Sequence, residues 1–146
     1  MATYNHILIT ADYSEHCRLV AEKAQNLARL YKAKLSLLHI LDNIPMPQMQ
    51  YGTVIALDQE TDDAVLAAEK HRFIQLAESL GISAENRWLV WGSPAREISL
   101  FAEQRAVDLI VVGSHGRHGL ALLLGSTANS VLHHAKCDVL SVRLRD

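Results

Sequence analysis

The chain has 146 residues, 49% of them hydrophobic and 21% charged, with a formal net charge of −2. That is the composition of one globular domain, residues 1–146, long enough to bury a core without disulfides or metals. It offers no basic excess for nucleic acid, and the first apolar run is too short for a signal-peptide core or a membrane span, so a cytoplasmic protein with neither nucleic-acid nor membrane partners is expected.

In chain order, Ile7-Leu8-Ile9 reads as a buried strand that ends near Asp12, with Ser14 placed as the N-cap of the first helix. Val20, Ala24, Leu27, Ala28 and Tyr31 then recur at helical spacing, with Glu22, Lys23, Asn26 and Arg29 on the other side, so one face of this helix must cover a sheet. Lys34 to Leu41 is too short and too apolar for a surface helix and reads as a second buried strand. Asn43 to Leu57, punctuated by Pro45, Pro47 and Gly52, is a long excursion. Asp58 to Leu80 reads as a helix with Leu66, Phe73, Ala77 and Leu80 on one stripe, and Gly81 stands where a left-handed stop belongs.

Arg87 to Trp91 is a β-rich run ending at Gly92-Ser93-Pro94, where Ser93 suits an N-cap and Pro94 a first helical position; Ala95, Ile98 and Ala102 mark the helix. The strand Leu109 to Val112 runs into Gly113-Ser114-His115-Gly116, and Gly125-Ser126-Thr127 opens a helix containing Ala128, Val131, Leu132 and Ala135. A last strand spans Asp138 to Arg143. Strands alternating with helices, about five of each, imply right-handed crossovers and an α/β, doubly wound parallel sheet with helices on both faces.

In such a sheet a ligand lies beyond the carboxyl ends of the strands, where strand order reverses. With the first strand central, its neighbours are the second and the fourth, which brings Asp12, Ile40 to Asp42 and Gly113 to Gly116 to one crevice edge. Asp12 offers an acceptor for a ribose diol; its competing role is a turn former. Ile40 offers a backbone contact to a base edge, or is simply a buried strand residue. Gly113 and Gly116 let main chain approach a phosphate, while Gly125, Ser126 and Thr127 supply N–H and hydroxyl donors at a helix start, compatible with capping that helix. Arg117 and His118 offer positive charge to a phosphate, against the commoner fate of a solvated loop cation.

Other chemistries find less support. Among eight histidines, His133 and His134 are adjacent and point to different faces, and His115 with His118 lacks a carboxylate or cysteine at metal-ligand spacing, so no metal held by protein side chains is expected; magnesium arriving with a nucleotide is. No serine sits in a GxSxG elbow, no Cys/His/Asp arrangement stands out, and the loop does not match GxxxxGK[ST]. Cys17 and Cys137 lack redox spacing and read as reduced structural residues.

These pieces together resemble the universal stress protein family over essentially the whole chain: Ile7-Leu8-Ile9 with Asp12 and Ser14, Leu37-Leu38-His39-Ile40, Gly92-Ser93-Pro94 with Glu97-Ile98, Val107 to Gly116, and Gly125-Ser126. The resemblance implies a five-stranded, Rossmann-like sheet of the adenine nucleotide alpha hydrolase-like kind, a cytoplasmic homodimer paired through the last strand (Val139, Leu140, Ser141, Val142) and, in one branch, ATP binding. An apolar last strand would otherwise leave an exposed edge.

That branch carries G-x2-G-x9-G-[ST], whereas here eight residues, Arg117 to Leu124, separate Gly116 from Gly125. The family motifs map onto Asp12 for ribose, Ile40 for adenine through its backbone, and Val112, Gly113, Gly116, Gly125, Ser126 and Thr127 for phosphates and the adjoining wall. Thr10 stands where some ATP binders carry a proline. The expectation is an ATP-binding stress-response protein, with magnesium if the nucleotide brings it, that signals to an unknown protein partner through a homodimer. No catalytic base or nucleophile is identified, so turnover would be slow at most. The alternative is a dimeric interaction protein of the same fold that binds no nucleotide, and an adenylate-transferring enzyme ranks below both.

Overall fold

The computed structural model describes residues 3–13, 16–42, 44–46, 49–113, 130–131 and 133–143. Its elements are β1 (His6–Thr10), α1 (Cys17–Tyr31), β2 (Lys34–Leu41), β3 (Thr53–Val54), α2 (Ala64–Ser79), β4 (Arg87–Trp91), α3 (Pro94–Gln104), β5 (Leu109–Gly113) and β6 (Asp138–Val142). Residues 130, 131, 133 and 134 are helical and lead into β6. The strands form one sheet in the order β3-β4-β2-β1-β5-β6, parallel except at β3.

Period-two alternation sends successive strand residues to opposite faces, and both faces are covered, which is why the runs are apolar throughout. Ile7, Ile9, Leu37, Leu41, Leu89 and Val111 pack under Val20, Ala21, Ala24 and Ala28 of α1 and Phe73 and Ala77 of α2. Leu8, Leu38, Ile40, Val90, Ile110 and Val112 pack under Ile98, Phe101 and Ala102 of α3 and under Val131. Each of these Val, Leu, Ile and Phe side chains, when fully buried, contributes about 1.5–3 kcal/mol of transfer free energy. The doubly wound α/β class is as expected, with β1 central and flanked by β2 and β5.

Several boundaries differ from the sequence reading. Among the described residues the sheet has six strands, because residues within the supposed excursion 43–57 form β3 antiparallel to β4, with the Gly52 and Ile55 N–H groups donating to the carbonyls of Trp91 (2.7 Å) and Leu89 (2.8 Å). The second helix starts at Ala64, six residues after Asp58, since the Asp63 carboxylate accepts from the N–H groups of Val65 (3.0 Å) and Leu66 (3.1 Å) and fixes the first turn there. Its stripe of Leu66, Phe73 and Ala77 is buried, as is Leu80 just beyond it, and Gly81 is left-handed with φ +71°. The first helix has His16, not Ser14, at its N-cap position; Ser14 lies outside the described residues. Ser93 takes the N-cap position of α3 without a side-chain cap bond, and Pro94 is the first residue of that helix. β5 includes Gly113, and β6 stops at Val142, one residue short of Arg143.

Candidate functional site

Parallel pairing fixes which residues leave the sheet side by side. Ile9 stands opposite Leu37 on β2 and Val111 on β5, so the carboxyl ends of β1, β2 and β5 emerge together at the point where strand order reverses. Thr10 ends β1 and is half-buried; Asp12 comes two residues later, also half-buried. Ile40 and Val112 flank β1 within one apolar cluster, at 5% and 3% exposure, so their side chains are committed to the core and what they can offer a ligand is main chain. Gly113 closes β5 half-exposed. Gly116, Arg117, Gly125, Ser126 and Thr127 lie outside the described residues, as do His115 and His118.

The segment carrying Asp12 is held from three directions. His39, buried on β2, hydrogen-bonds through Nδ1 to the Ala11 carbonyl at 2.7 Å; a carbonyl only accepts, so Nδ1 carries the proton. Cys17, at the start of α1, makes a hydrogen bond with the Asp12 backbone. Tyr13 has φ +61°, and its ring lies against the His39 ring with centroids 4.4 Å apart. The Arg72 guanidinium of α2 sits 3.9 Å from the centroid of that tyrosine ring. Burial lowers the His39 pKa, pushes the Cys17 thiol up to about 11 and raises the Tyr13 phenol, so all three are neutral near pH 7.

Sequence reasoning places none of His39, Tyr13 or Arg72 in the site. A histidine inside the apolar run Leu37 to Leu41 is a readable signal, because a polar side chain in a buried strand needs a partner. Tyr13 gives no such signal, since tyrosine is not a residue that announces a left-handed backbone.

A further buried carboxylate lies at the same sheet edge. Glu97 of α3 is 4% exposed, its Oε2 has no hydrogen-bond partner among the described residues, and its side chain covers Gly92 at the end of β4. At the opposite, amino-terminal edge, Tyr4, Leu27, Leu109, Asp138, Val139 and Leu140 line a hollow of about 370 Å³, which the Tyr4 hydroxyl bridges by donating to Asp138 at 2.7 Å. That hollow lies at the other edge of the sheet from the carboxyl ends of the strands. Among the described residues no group of three or more His, Cys, Asp or Glu side chains is placed to hold a metal, and no helix is long and apolar enough to cross a membrane. Cys17 is buried and Cys137 half-buried; both are free thiols, and burial raises the pKa of Cys137 as well.

Comparison with known proteins gives a consistent answer. The model of the universal stress protein family matches residues 3–143. Universal stress protein A homolog 2 of Coxiella burnetii is 41% identical over 99% of this chain and 99% of its own. Among solved structures, universal stress protein UspA from Lactobacillus plantarum superposes with a TM-score of 0.71 at 26% identity, covering 98% of this chain and 100% of that one. A universal stress protein solved in complex with cAMP superposes at 0.66 with 22% identity, over 99% of this chain and 100% of that one, a likeness of fold.

Proposed function

The chain belongs to the universal stress protein family, and from that premise we propose that it binds an adenine nucleotide, ATP first among them, at the carboxyl ends of β1, β2 and β5. One observation carries the reading: the half-buried carboxylate-bearing turn after β1 lies between two strand ends whose side chains Ile40 and Val112 are buried, the arrangement that suits a ribose diol beside a base edge. Asp12 accepts from the ribose hydroxyls, the Ile40 backbone meets the adenine edge, and Thr10 and Val112 border the base.

The loop from Gly113 and Gly116 to Gly125, Ser126 and Thr127 supplies N–H and hydroxyl donors to the phosphates, with Arg117 adding charge. Magnesium comes with the phosphates and neutralises part of their charge. The role is a cytoplasmic stress-response sensor: nucleotide occupancy alters a homodimer paired through Val139, Leu140, Ser141 and Val142 of β6, an edge strand, and a protein partner reads the result. Hydrolysis is expected to be slow at most, because the sequence carries no recognised nucleophile motif beside Asp12 and the glycine loop.

The test is direct. Denatured, freshly purified protein analysed by mass spectrometry should release an adenine nucleotide, and calorimetry should register ATP with magnesium. ADP, AMP and cAMP serve as comparison ligands, since a protein of the same fold is known with cAMP. Replacing Asp12 by alanine removes hydrogen bonds to a charged group, worth about 1.5–3 kcal/mol, and should weaken ATP by about 10- to 150-fold. Absence of both released nucleotide and binding heat would sink the proposal.

The second reading, a dimeric interaction protein without nucleotide, is favoured by the eight-residue spacing between Gly116 and Gly125. It requires that Gly113→Val and Gly116→Val leave stress survival unchanged. Sedimentation at micromolar concentration tests the dimer common to both readings, and a monomer alone would refute it.

A further inference from the structure

We infer that His39 and Tyr13 are positioning residues that hold Asp12 in the orientation its ligand needs. This holding role deepens the nucleotide reading and rests on it for one of its two measurements.

A tyrosine at φ +61° occupies a conformation that costs an ordinary residue about 1 kcal/mol or more, and such a conformation persists only where its surroundings over-determine it. Here they do. One imidazole touches both neighbours of Asp12: its Nδ1–H donates to the Ala11 carbonyl, and its ring packs against the Tyr13 ring. Arg72 lies over the Tyr13 ring, Phe73 of α2 stacks on His39 with centroids 6.5 Å apart, and Cys17 takes the Asp12 backbone itself. The main chain of Ala11 to Tyr13 is therefore tied to β2, α1 and α2, which leaves the Asp12 carboxylate few ways to turn.

The residue that fastens this segment directly precedes Ile40, the expected base contact, so His39 sets the separation of the two ends of a nucleoside. The Tyr13 hydroxyl is buried and has no hydrogen-bond partner among the described residues, so the ring faces do the holding. Removing that hydroxyl costs nothing that the structure uses.

The experiment compares wild type with His39→Leu, Tyr13→Ala and Tyr13→Phe, each first shown folded by circular dichroism and thermal melting. The first measurement is amide hydrogen exchange of residues 11–13 without nucleotide. His39→Leu and Tyr13→Ala should exchange about tenfold or more faster there, while Tyr13→Phe keeps wild-type protection; local opening is where lost fastening shows. The second is the affinity ratio of ATP to 2′,3′-dideoxy-ATP, which reads the ribose contact alone. Wild type and Tyr13→Phe should prefer ATP by about tenfold or more, the worth of a hydrogen bond to a charged group, and the other two should discriminate within about twofold.

Unchanged exchange in His39→Leu and Tyr13→Ala, or Tyr13→Phe behaving like Tyr13→Ala, overturns the inference. So does a retained ATP preference in those two variants. If wild type binds no nucleotide at all, the functional proposal fails while the exchange result still decides whether these residues hold Asp12. Should His39→Leu not fold, the Tyr13 pair carries the same decision.

Discussion

At Gly92 a single hydrogen stands where a methyl group does not fit. A Cβ built there would lie 2.5 Å from Glu97 Cγ and 2.9 Å from Glu97 Cδ, and Glu97 itself is buried. The carboxylate stem fills the space above the end of β4, so Gly92→Ala forces α3 or its first turn to shift. Overpacking of this kind costs about 1–3 kcal/mol, and at this chain length each kcal/mol lowers Tm by about 3 °C. Thermal or urea denaturation measures the loss. The cause is checkable through Glu97→Ala, which in the Gly92→Ala background should recover part of the stability; strictly additive losses would place the clash elsewhere. Gly92-Ser93-Pro94 is legible as a turn before a helix, yet the need for glycine is not, because the side chain that demands it arrives five residues later from a helix whose packing no local pattern specifies.

Among the elements, α2 shows how one side chain overrules a long periodic signal. Its apolar stripe is readable, and so is its stop at Gly81, but Asp58 to Asp62 have helix-compatible neighbours and read as part of the helix. The Asp63 carboxylate ends that ambiguity by accepting two N–H groups of the first turn. Asp63→Ala should cost about 1 kcal/mol, measured by chemical denaturation, while Asp62→Ala, one residue outside the cap, should stay within about 0.5 kcal/mol. Equal losses from the two would remove Asp63 from its role. β3 marks the other limit of legibility. Two residues, Thr53 and Val54, pair with β4 after a stretch rich in proline and polar residues, and a two-residue strand carries no periodicity to detect.

For the whole molecule, the layer order is legible because covering both faces of the sheet writes near-continuous apolar runs into β1, β2, β4 and β5. The strand-end position of Asp12, Ile40 and Gly113 comes with that order. The fastening around Asp12 does not, since it depends on one tyrosine backbone conformation and on Arg72, 59 positions after Tyr13 in the chain. The same burial that hides these contacts sets the response to acid. His6, at the amino end of β1, hydrogen-bonds the Arg105 carbonyl through Nδ1 at 3.1 Å and so receives the Ser36 hydroxyl at Nε2, 2.8 Å away, while His39 serves the opposite edge.

Burial is the largest influence on both imidazoles and lowers both pKa values from 6.5; the hydrogen bonds to the Arg105 carbonyl at His6 and the Ala11 carbonyl at His39 oppose it most, joined by Asp108 at His6 and by Glu69 and Asp42 at His39, while Lys34 and Arg105 reinforce burial at His6 and Arg72 does so at His39. The folded state therefore holds fewer protons than the unfolded chain just below pH 6.5. Stability should be full above about pH 6.5 and fall as pH drops from there through the lowered folded values, with a limiting slope of about 1.4 kcal/mol per pH unit for each histidine. Urea denaturation from pH 7.5 to 5 reads that slope. His6→Asn and His39→Leu should each reduce it, and together should flatten it over this range, above the ordinary titration of the carboxylates. A slope unchanged in the double variant would show that these two buried rings do not govern acid stability.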